Sequence, residues 1–482
     1  MNEQKMQYLK NNYRVFGVVS IVYGIIYSVL LYKNPESFIF PIVIALTLAI
    51  CAFVLKKFGL PIKKEGYFLM VVIQLLAVAV CLTENQKIIT FNKVAIFLLL
   101  FFFMMEQVYN TKGWQVGKNI GNLIMRGINI LIYYGKPWSH LGAFFMGKEE
   151  RNNKKRKYIA IGIGISIPLV LTICGLLASA DEVFRSFFEW IFENLLSVDA
   201  ILIIFIAIIA YGLIYSFICS SVTTSEIDEK ERTKLPTMVA ITFTSIIALI
   251  YIGFCALQVS YLFNGYSDGL TYSQFAREGF FELLAVSAIN LIMVIICIEV
   301  FEKSKKLDVI LIIISAYTYI LIGSSAYRML LYVDAYELTF LRIFVLWFLA
   351  VLTIWMTGAI IYIKKRNWNY FKFSILVIAT MYLIFVYVNP DQIIIEYNVK
   401  HNKEITLEDV EYFCSELNLK EVLAEMKNME KKFVPSEKKE IERTIQDYCI
   451  CMTSQNNDMD WWEFNFAKRD AYNEMKTLGI LQ

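Results

Sequence analysis

Histidine is almost absent from this chain of 482 residues, which contains only His140 and His401. The two lie far apart in polar stretches, so a zinc, haem or iron site built on clustered histidines is not expected. The sequence also lacks a G-x-S-x-G elbow and a Walker-type phosphate loop. We therefore predict no metal and no cofactor, and the common catalytic motifs do not indicate an enzyme.

Charged residues are scarce as well, at 18% of the chain against 57% hydrophobic and 15% aromatic residues. This balance, with a mean hydropathy of +0.53, differs strongly from that of soluble globular proteins. The net charge of +3 gives no indication of nucleic-acid binding. The composition therefore predicts an integral membrane protein whose first partner is the lipid bilayer.

Apolar runs of about 20 residues, the length that crosses a bilayer as a helix, recur along the chain. We predict about eleven spans, near 15–32, 38–55, 66–83, 88–106, 157–178, 199–222, 237–263, 281–301, 308–328, 340–363 and 370–388. Lys93 lies inside the fourth run, close enough to its start to reach the headgroups. The expected fold is an all-α polytopic transmembrane bundle.

Lysine and arginine alternate between the loops. They are concentrated in 1–14, 56–65, 107–157, 223–236, 303–306 and 364–366, and few occur in 33–37, 83–87, 179–198, 264–280 and 329–339. By the positive-inside rule the first set is cytoplasmic. This predicts a multi-pass protein of the cell membrane with a cytoplasmic N-terminus and an extracytoplasmic C-terminal tail.

Two further segments, 117–134 and 183–198, show apolar residues at helical spacing. We expect each to be a helix that lies flat in the membrane interface, or alternatively a buried elbow helix against the bundle. The basic stretch 148–157 is most simply an anchor that touches anionic lipid rather than a nucleic-acid site.

Three regions follow from these patterns. Residues 1–156 form an N-terminal membrane region with four spans, and 157–389 a membrane domain with about seven spans. After Pro390 the composition becomes polar and acidic, which predicts a soluble helical tail over 390–482. Within the tail, Thr406 followed by Asp409 predicts a capping box at the start of an amphipathic helix.

Polar clusters interrupt the apolar pattern in the second half of the chain. They occur in "LLASADEVF", "FAREGFFELLAVSAIN" and "SAYRMLLYVDAYELTFLRIFVLWF", and they are followed by "NPD" and "DWWEFNF". These motifs resemble the bacterial family named domain of unknown function 4173, over about residues 160–482. The resemblance implies a polytopic bacterial membrane protein without an established activity.

The matching positions are Ala178, Ser179, Ala180, Asp181, Arg277, Gly279, Phe280, Glu282, Leu283, Tyr327, Arg328, Tyr332, Ala335, Tyr336, Leu338, Thr339 and Arg342. Asp334 stands where the family has an acidic residue of either type. Glu337 replaces a glycine of the family pattern, so if that glycine gives a left-handed bend, the turn here is either more strained or shaped differently.

The clusters supply the candidate site: Asp181, Arg277, Glu282, Tyr327, Arg328, Asp334 and Arg342. Under the predicted topology all seven face the side of the tail. Ionisable groups close to hydrocarbon are paired or face a cavity. They therefore form either a packed ionic network or a pocket in which arginines bind a polar or anionic ligand.

The best functional hypothesis is a non-enzymatic component of the cell envelope whose outer face and tail bind a partner protein or a small ligand. Trp461 and Trp462 of the tail are expected to approach the polar loops. One alternative is a secondary transporter, for which Gln74, Gln258 and Asn290 inside spans are the relevant polar residues. The other is a membrane-embedded enzyme acting on a lipid or cell-wall precursor, with Asp181 and Glu282 as acid and base.

Overall fold

The computed structural model describes residues 2–111, 113–146, 166, 169–170, 172–173, 176–186, 198–224, 234–264, 280–456 and 465–480. The helices are α1 Asn2–Asn11, α2 Tyr13–Leu31, α3 Ile39–Lys57, α4 Lys64–Val80, α5 Gln86–Val108, α6 Val116–Tyr133, α7 Lys136–Met146, α8 Val198–Thr223, α9 Thr237–Asn264, α10 Phe280–Val300, α11 Lys305–Tyr336, α12 Phe340–Lys364, α13 Tyr370–Tyr387, α14 Pro390–His401, α15 Leu407–Glu416, α16 Leu419–Met429, α17 Lys438–Asn456 and α18 Phe466–Thr477. Over these ranges β-structure is limited to two isolated bridges. The predicted all-α fold is confirmed.

Nine helices of the described ranges are long and apolar enough to cross a membrane: α2, α3, α5 and α8 to α13. They confirm a polytopic helical bundle. Helix α4, with 17 residues, lies where a span was predicted at 66–83 but is shorter than these nine. The span predicted at 157–178 falls largely outside the described residues, so the total of eleven stays a prediction.

The chain divides into two compact units. The first comprises the described parts of Met1–Pro35, Ile42–Pro61 and Ile124–Ser225, and its centre is the contact of α2 with α8. A side chain at Gly24 would meet the Ala207 carbonyl oxygen at 2.7 Å, so this close approach requires glycine. Inside the same unit, the Tyr13 and Tyr211 hydroxyls are 2.6 Å apart.

Helix α6 carries the amphipathic pattern predicted for an interfacial helix. In its 124–133 half, Arg126 is 1% exposed and its Nη1 donates to the Ser221 carbonyl at 3.1 Å. Ile124 and Leu131, on the opposite side, are exposed. An exposed apolar side fits a helix lying against lipid, whereas the burial of Arg126 against α8 fits an elbow helix packed on the bundle, so both alternatives stay predictions. The second predicted interfacial segment, 183–198, lies mostly outside the described residues.

The second unit comprises the described parts of Glu36–Pro41, Ile62–Leu123 and Glu226–Gln482. Helix α4 packs against α5 and α13, and α9 to α12 pack as neighbours around α11. Lys93, predicted to reach the headgroups, lies 3.8 Å from the Glu36 carboxylate. The turns at 81–85 and 337–339 and the start of α14 lie at the same end of the bundle, where the tail begins.

The described part of the tail is helical, and we call it the head (residues 390–456 and 465–480). Helix α16 packs against α14 and α18, and α15 packs against α17. The predicted capping box is confirmed, because Thr406 caps the Asp409 backbone N–H and the Asp409 carboxylate accepts from the Thr406 N–H. Lys432 Nζ donates to the Val399 carbonyl at 2.6 Å and so ties the end of α14 to the next helices.

Candidate functional site

Five of the seven predicted site residues lie in the described part of the second unit. Glu282, Tyr327 and Asp334 are exposed, whereas Arg328 is buried, with 8% of its surface exposed. No ion pair joins Glu282, Asp334 and Arg342 in the part of the chain that the structure describes. The ionic network and the ligand pocket therefore both stay predictions for this set.

Asp181 belongs to the first unit and has a local partner. Its Oδ1 accepts from the backbone N–H groups of Val183 and Phe184 at 2.8 and 3.0 Å. This is the geometry of a helix N-cap, in which a carboxylate satisfies the first orphan donors of the following helical turn. Arg277, Trp461 and Trp462 lie outside the described residues.

The turn between α11 and α12 explains two of the charges in the third motif. Glu337 ends α11 with φ 73° and ψ 172°, a region that is essentially reserved for glycine. Arg342 Nη1 donates to the carbonyl oxygens of Tyr336 and Glu337, and its guanidinium lies 4.3 Å from the Tyr332 ring centroid. Arg342 thus caps the last carbonyls of α11 and holds the strained turn.

The head contacts this turn through side chains that bind backbone. Asn398 Oδ1 accepts from the Leu338 N–H, and Asn398 Nδ2 donates to the Leu338 carbonyl, both at 2.8 Å. The Tyr412 hydroxyl accepts from the Phe340 N–H at 3.0 Å. Asn398 is 1% and Leu338 6% exposed, so the Leu338 N–H and carbonyl would lack water if the asparagine were removed.

A second loop, 81–85, contacts the head in the same way. Asn418 Oδ1 accepts from the Thr83 hydroxyl at 3.0 Å and from the N–H groups of Glu84 and Asn85 at 2.6 and 3.1 Å. Asp391, which is completely buried, accepts from Asn85 Nδ2 at 2.8 Å and from the Asn418 N–H at 3.2 Å. We call these contacts, together with those of Asn398 and Tyr412, the head junction.

Two carboxyl groups of the head junction are removed from water. Burial raises the pKa of Asp391 to about 7, although hydrogen bonds from Asn85 and Asn418 act in the opposite direction. Burial also raises the pKa of Glu84 to about 7, with Lys468 partly offsetting this effect. Because charged carboxylates are costly in such surroundings, the protonated forms favour the docked head.

The opposite end of the second unit is built from ion pairs. Arg366 Nη2 lies 3.2 Å from the Asp308 carboxylate, and Arg366 Nη1 donates to the Ile298 and Phe301 carbonyls. Lys372 Nζ is 3.1 Å from the Glu65 carboxylate and 3.5 Å from that of Glu106. These residues belong to the loops with the predicted cytoplasmic bias or to their immediate neighbours.

Two of the three amides named for a transporter bind neighbouring helices. Gln74 Nε2 donates to the Pro41 carbonyl at 3.0 Å. Asn290 accepts from the Tyr251 hydroxyl at 2.6 Å and donates to Thr318 at 3.0 Å. Both therefore join helices, which is the ordinary use of amides inside membrane bundles. The Gln258 side chain lies outside the described residues.

Sequence reasoning missed the residues that form the head junction: Asn85, Asp391, Asn398 and Asn418. One signal was present, since "NPD" directly after the last span places Asp391 where the polar tail meets the bundle. Proline at the first position of α14, with Asn389 as its cap, fixes this placement. The asparagines gave no signal, because their partners are backbone groups far away in sequence.

Comparison with known protein families gives one match. The family described as Domain of unknown function (DUF4153) matches residues 70–426. The chain belongs to this family. An uncharacterised family was expected from the motifs, but the matched family carries a different number from the 4173 family that they resemble. The DUF4153 match extends from α4 into α16 and includes every residue named in the head junction. No curated protein and no solved structure matches the chain.

Proposed function

We propose that this membrane protein of the DUF4153 family is a non-enzymatic component of the cell envelope. In this proposal the head is a binding module for a partner protein or a small ligand at the outer face of the membrane. The observation that carries the proposal is the head junction, in which buried side chains of the head bind the backbone of two membrane loops. A head fixed in this way presents one defined surface, as recognition requires.

Charge supports the placement of the head outside the cell. The loops with few basic residues, 83–87 and 329–339, meet the head, and the lysine-rich loops 303–306 and 364–366 lie at the other end of the same unit. The positive-inside rule assigns that lysine-rich end to the cytoplasm. We therefore propose a cell-membrane location with a cytoplasmic N-terminus and an extracytoplasmic head.

Cysteine labelling in intact cells tests this orientation. A membrane-impermeant maleimide is applied to Glu396→Cys, on the exposed side of α14, and to the matched control Lys303→Cys at the opposite end, with the native cysteines replaced by serine. We expect labelling of position 396 in intact cells and of position 303 only after permeabilisation. The reverse pattern would place the head in the cytoplasm and refute the proposed location.

Site-specific photocrosslinking tests the binding role. A photoreactive amino acid at Glu396 or Asp334, both exposed near the head junction, is compared with the same residue at Lys303. We expect discrete crosslinked species at the two head-side positions that disappear in an Asn398→Ala background, because that change releases the head. Identical products at all three positions, or products unaffected by Asn398→Ala, would contradict a binding module built on the docked head.

A further inference from the structure

A cavity of about 170 Å³ lies beside the head junction, entirely within the second unit. Its wall is formed by the ends of α4 and α13 and the start of α5, and its lining includes Leu82, Thr83, Tyr387, Asn389 and Asn418. The cavity is partly open to the surroundings. It is slightly larger than the roughly 150 Å³ engineered cavity that binds benzene.

The Asn418 amide has an unused donor at this cavity. Its Oδ1 accepts from Thr83 and from the backbone N–H groups of Glu84 and Asn85, so the oxygen must face the loop. The amide nitrogen therefore faces away from the loop. Asn418 is 5% exposed, and its Nδ2 has no hydrogen-bond acceptor among the described residues.

The other polar side chains in the wall already have partners. Thr83 Oγ1 donates to Asn418 Oδ1 and accepts from the Asn85 N–H at 3.1 Å. Asn389 Nδ2 donates to the Glu421 carboxylate at 2.9 Å, and Asn389 Oδ1 accepts from the Gln392 N–H. A molecule in the cavity therefore meets one well-defined donor, Asn418 Nδ2, on an otherwise apolar wall.

Charge decides which kind of acceptor fits this donor. Asp391 accepts directly from the Asn418 N–H, and Glu84 donates its own N–H to the same asparagine. The two buried carboxyl groups beside the cavity offer no positive charge to an anionic phosphate or carboxylate, and they repel an anion whenever they ionise. A neutral carbonyl oxygen accepts from an amide without this repulsion, so the geometry selects an ester or amide carbonyl.

The position of the cavity in the bilayer indicates what the rest of its ligand is made of. Val80 ends α4 and Tyr387 ends α13, so the cavity lies at the level where the membrane helices stop. In a bilayer this level separates the hydrocarbon core from the headgroups. Leu82 and Tyr387 are partly exposed at the cavity, which leaves an apolar path toward the hydrocarbon.

We propose that this cavity binds an acyl carbonyl that carries a hydrocarbon chain, with the carbonyl oxygen accepting from Asn418 Nδ2. Such a group belongs to a membrane phospholipid or to a small free ester, and both offer the same chemistry. The proposal is independent of the binding role of the head, because a lipid occupies the cavity whether or not a partner is recognised.

Photolabelling of the full-length protein in nanodiscs tests the proposal. The probes are a diester phospholipid with a diazirine close to its carbonyl and the matching diether phospholipid, which lacks the carbonyl. We expect the diester to label peptides that contain 79–88 or 386–389, and the diether to label them about tenfold less, since one buried hydrogen bond is lost. Equal labelling of these peptides by both probes would overturn the proposal.

Two variants locate the labelling in the cavity. Leu82→Trp, in the turn after α4, fills the cavity from a half-exposed position, and Val71→Trp, at an exposed position of α4 outside the cavity wall, is its control. Asn418→Asp keeps an acceptor for the loop but replaces the donor. We expect labelling to fall about tenfold in Leu82→Trp and Asn418→Asp and to persist in Val71→Trp. Equal labelling in the two tryptophan variants would exclude the cavity even if Asn418→Asp fails to fold.

A competition experiment separates the two sources of the carbonyl. A water-soluble short-chain ester is added in excess to the nanodiscs before irradiation. If it abolishes labelling of the cavity peptides, the cavity takes free esters, and if labelling persists, it takes lipid. Either result supports an acyl carbonyl site once the diester and diether probes differ.

Discussion

The two ends of the second unit are built with different chemistry. At the opposite end, ion pairs such as Arg366 with Asp308 join short loops to neighbouring helices. At the head junction, neutral amides bind backbone groups, and the buried carboxyl of Asp391 has hydrogen-bond donors but no cation within ion-pair distance among the described residues. One partly exposed ion pair, Lys87 with Glu416, also joins the start of α5 to the head. Ion pairs tolerate partial exposure, whereas amide contacts to backbone depend on burial and fixed geometry. The difference indicates that one end is a closed set of loops and the other is the surface on which the helices of the tail dock.

Among the single substitutions, Asn398→Ala should weaken the head junction most. It leaves the Leu338 N–H and carbonyl buried without partners, which we expect to lower the free energy of unfolding by about 3 kcal/mol. Thermal unfolding in detergent and limited proteolysis after Pro390 measure the loss, and the exposed amide change Gln392→Ala on the same helix is the control. Equal behaviour of the two variants would show that the amide contacts do not hold the head.

The pH dependence of head docking should be the next difference between the two ends of the second unit. Folded-state pKa values of about 7 for Glu84 and Asp391 lie above the ordinary values of 4.5 and 3.8. Their favourable contribution is therefore complete below about pH 4 and is lost as the pH rises through 7. We expect docking to weaken by roughly 2 kcal/mol for each of the two groups between pH 5 and 8, since one pKa unit corresponds to about 1.4 kcal/mol.

Glu84→Gln identifies the group responsible for part of this response. A glutamine cannot ionise, so proteolysis of the variant should change less between pH 5 and 8 than that of the original protein. Glu396→Gln, on the exposed side of α14, is the matched control and should leave the pH profile unchanged. A pH profile that is the same for both variants would exclude Glu84 as a contributor.

Arg366→Lys should have a smaller effect, confined to the opposite end. Lysine can still reach Asp308 but has no planar fork for the Ile298 and Phe301 carbonyls, so we expect a loss of about 1 kcal/mol. Thermal unfolding should register this loss, while proteolytic release of the head should be unchanged. Lys364→Ala, an exposed basic residue of the same region, serves as the control. Release of the head by Arg366→Lys would mean that the two ends are not independent.

Much of the fold was predictable because membrane helices are defined by apolar run lengths. The spans at 88–106 and 340–363 correspond closely to α5 and α12. The site was less accessible to sequence analysis, since it depends on contacts between residues such as Asn85 and Asp391, separated by more than 300 positions. Asparagine at a turn is so common that its sequence position does not reveal whether it caps a helix or binds a distant loop.

Charged residues at the ends of the spans were only a partial indication of a ligand site, for a physical reason. Arg342 was grouped with ligand-binding candidates, yet it donates to the carbonyls that end α11. Asp181 likewise caps the helical turn that follows it. A single charged side chain at a helix end satisfies orphan backbone groups without needing an ionic partner. Charge at the ends of spans therefore indicates helix termini as readily as it indicates a ligand site.

Glu337→Gly should change the free energy of unfolding least, and it should stabilise the protein. The φ of 73° and ψ of 172° at Glu337 cost about 1–3 kcal/mol for a residue with a Cβ, and glycine removes this strain. Glycine also loses the hydrogen bond from Asn402 and gains unfolded-state entropy, so we expect a net gain of about 1 kcal/mol. Glu337→Ala loses the same carboxylate but keeps the Cβ, so the difference in stability between the two variants measures the backbone strain. Thermal unfolding of both variants decides the matter: if glycine is no more stable than alanine, the turn is not strained, and Arg342 and Asn398 stabilise an already favourable conformation.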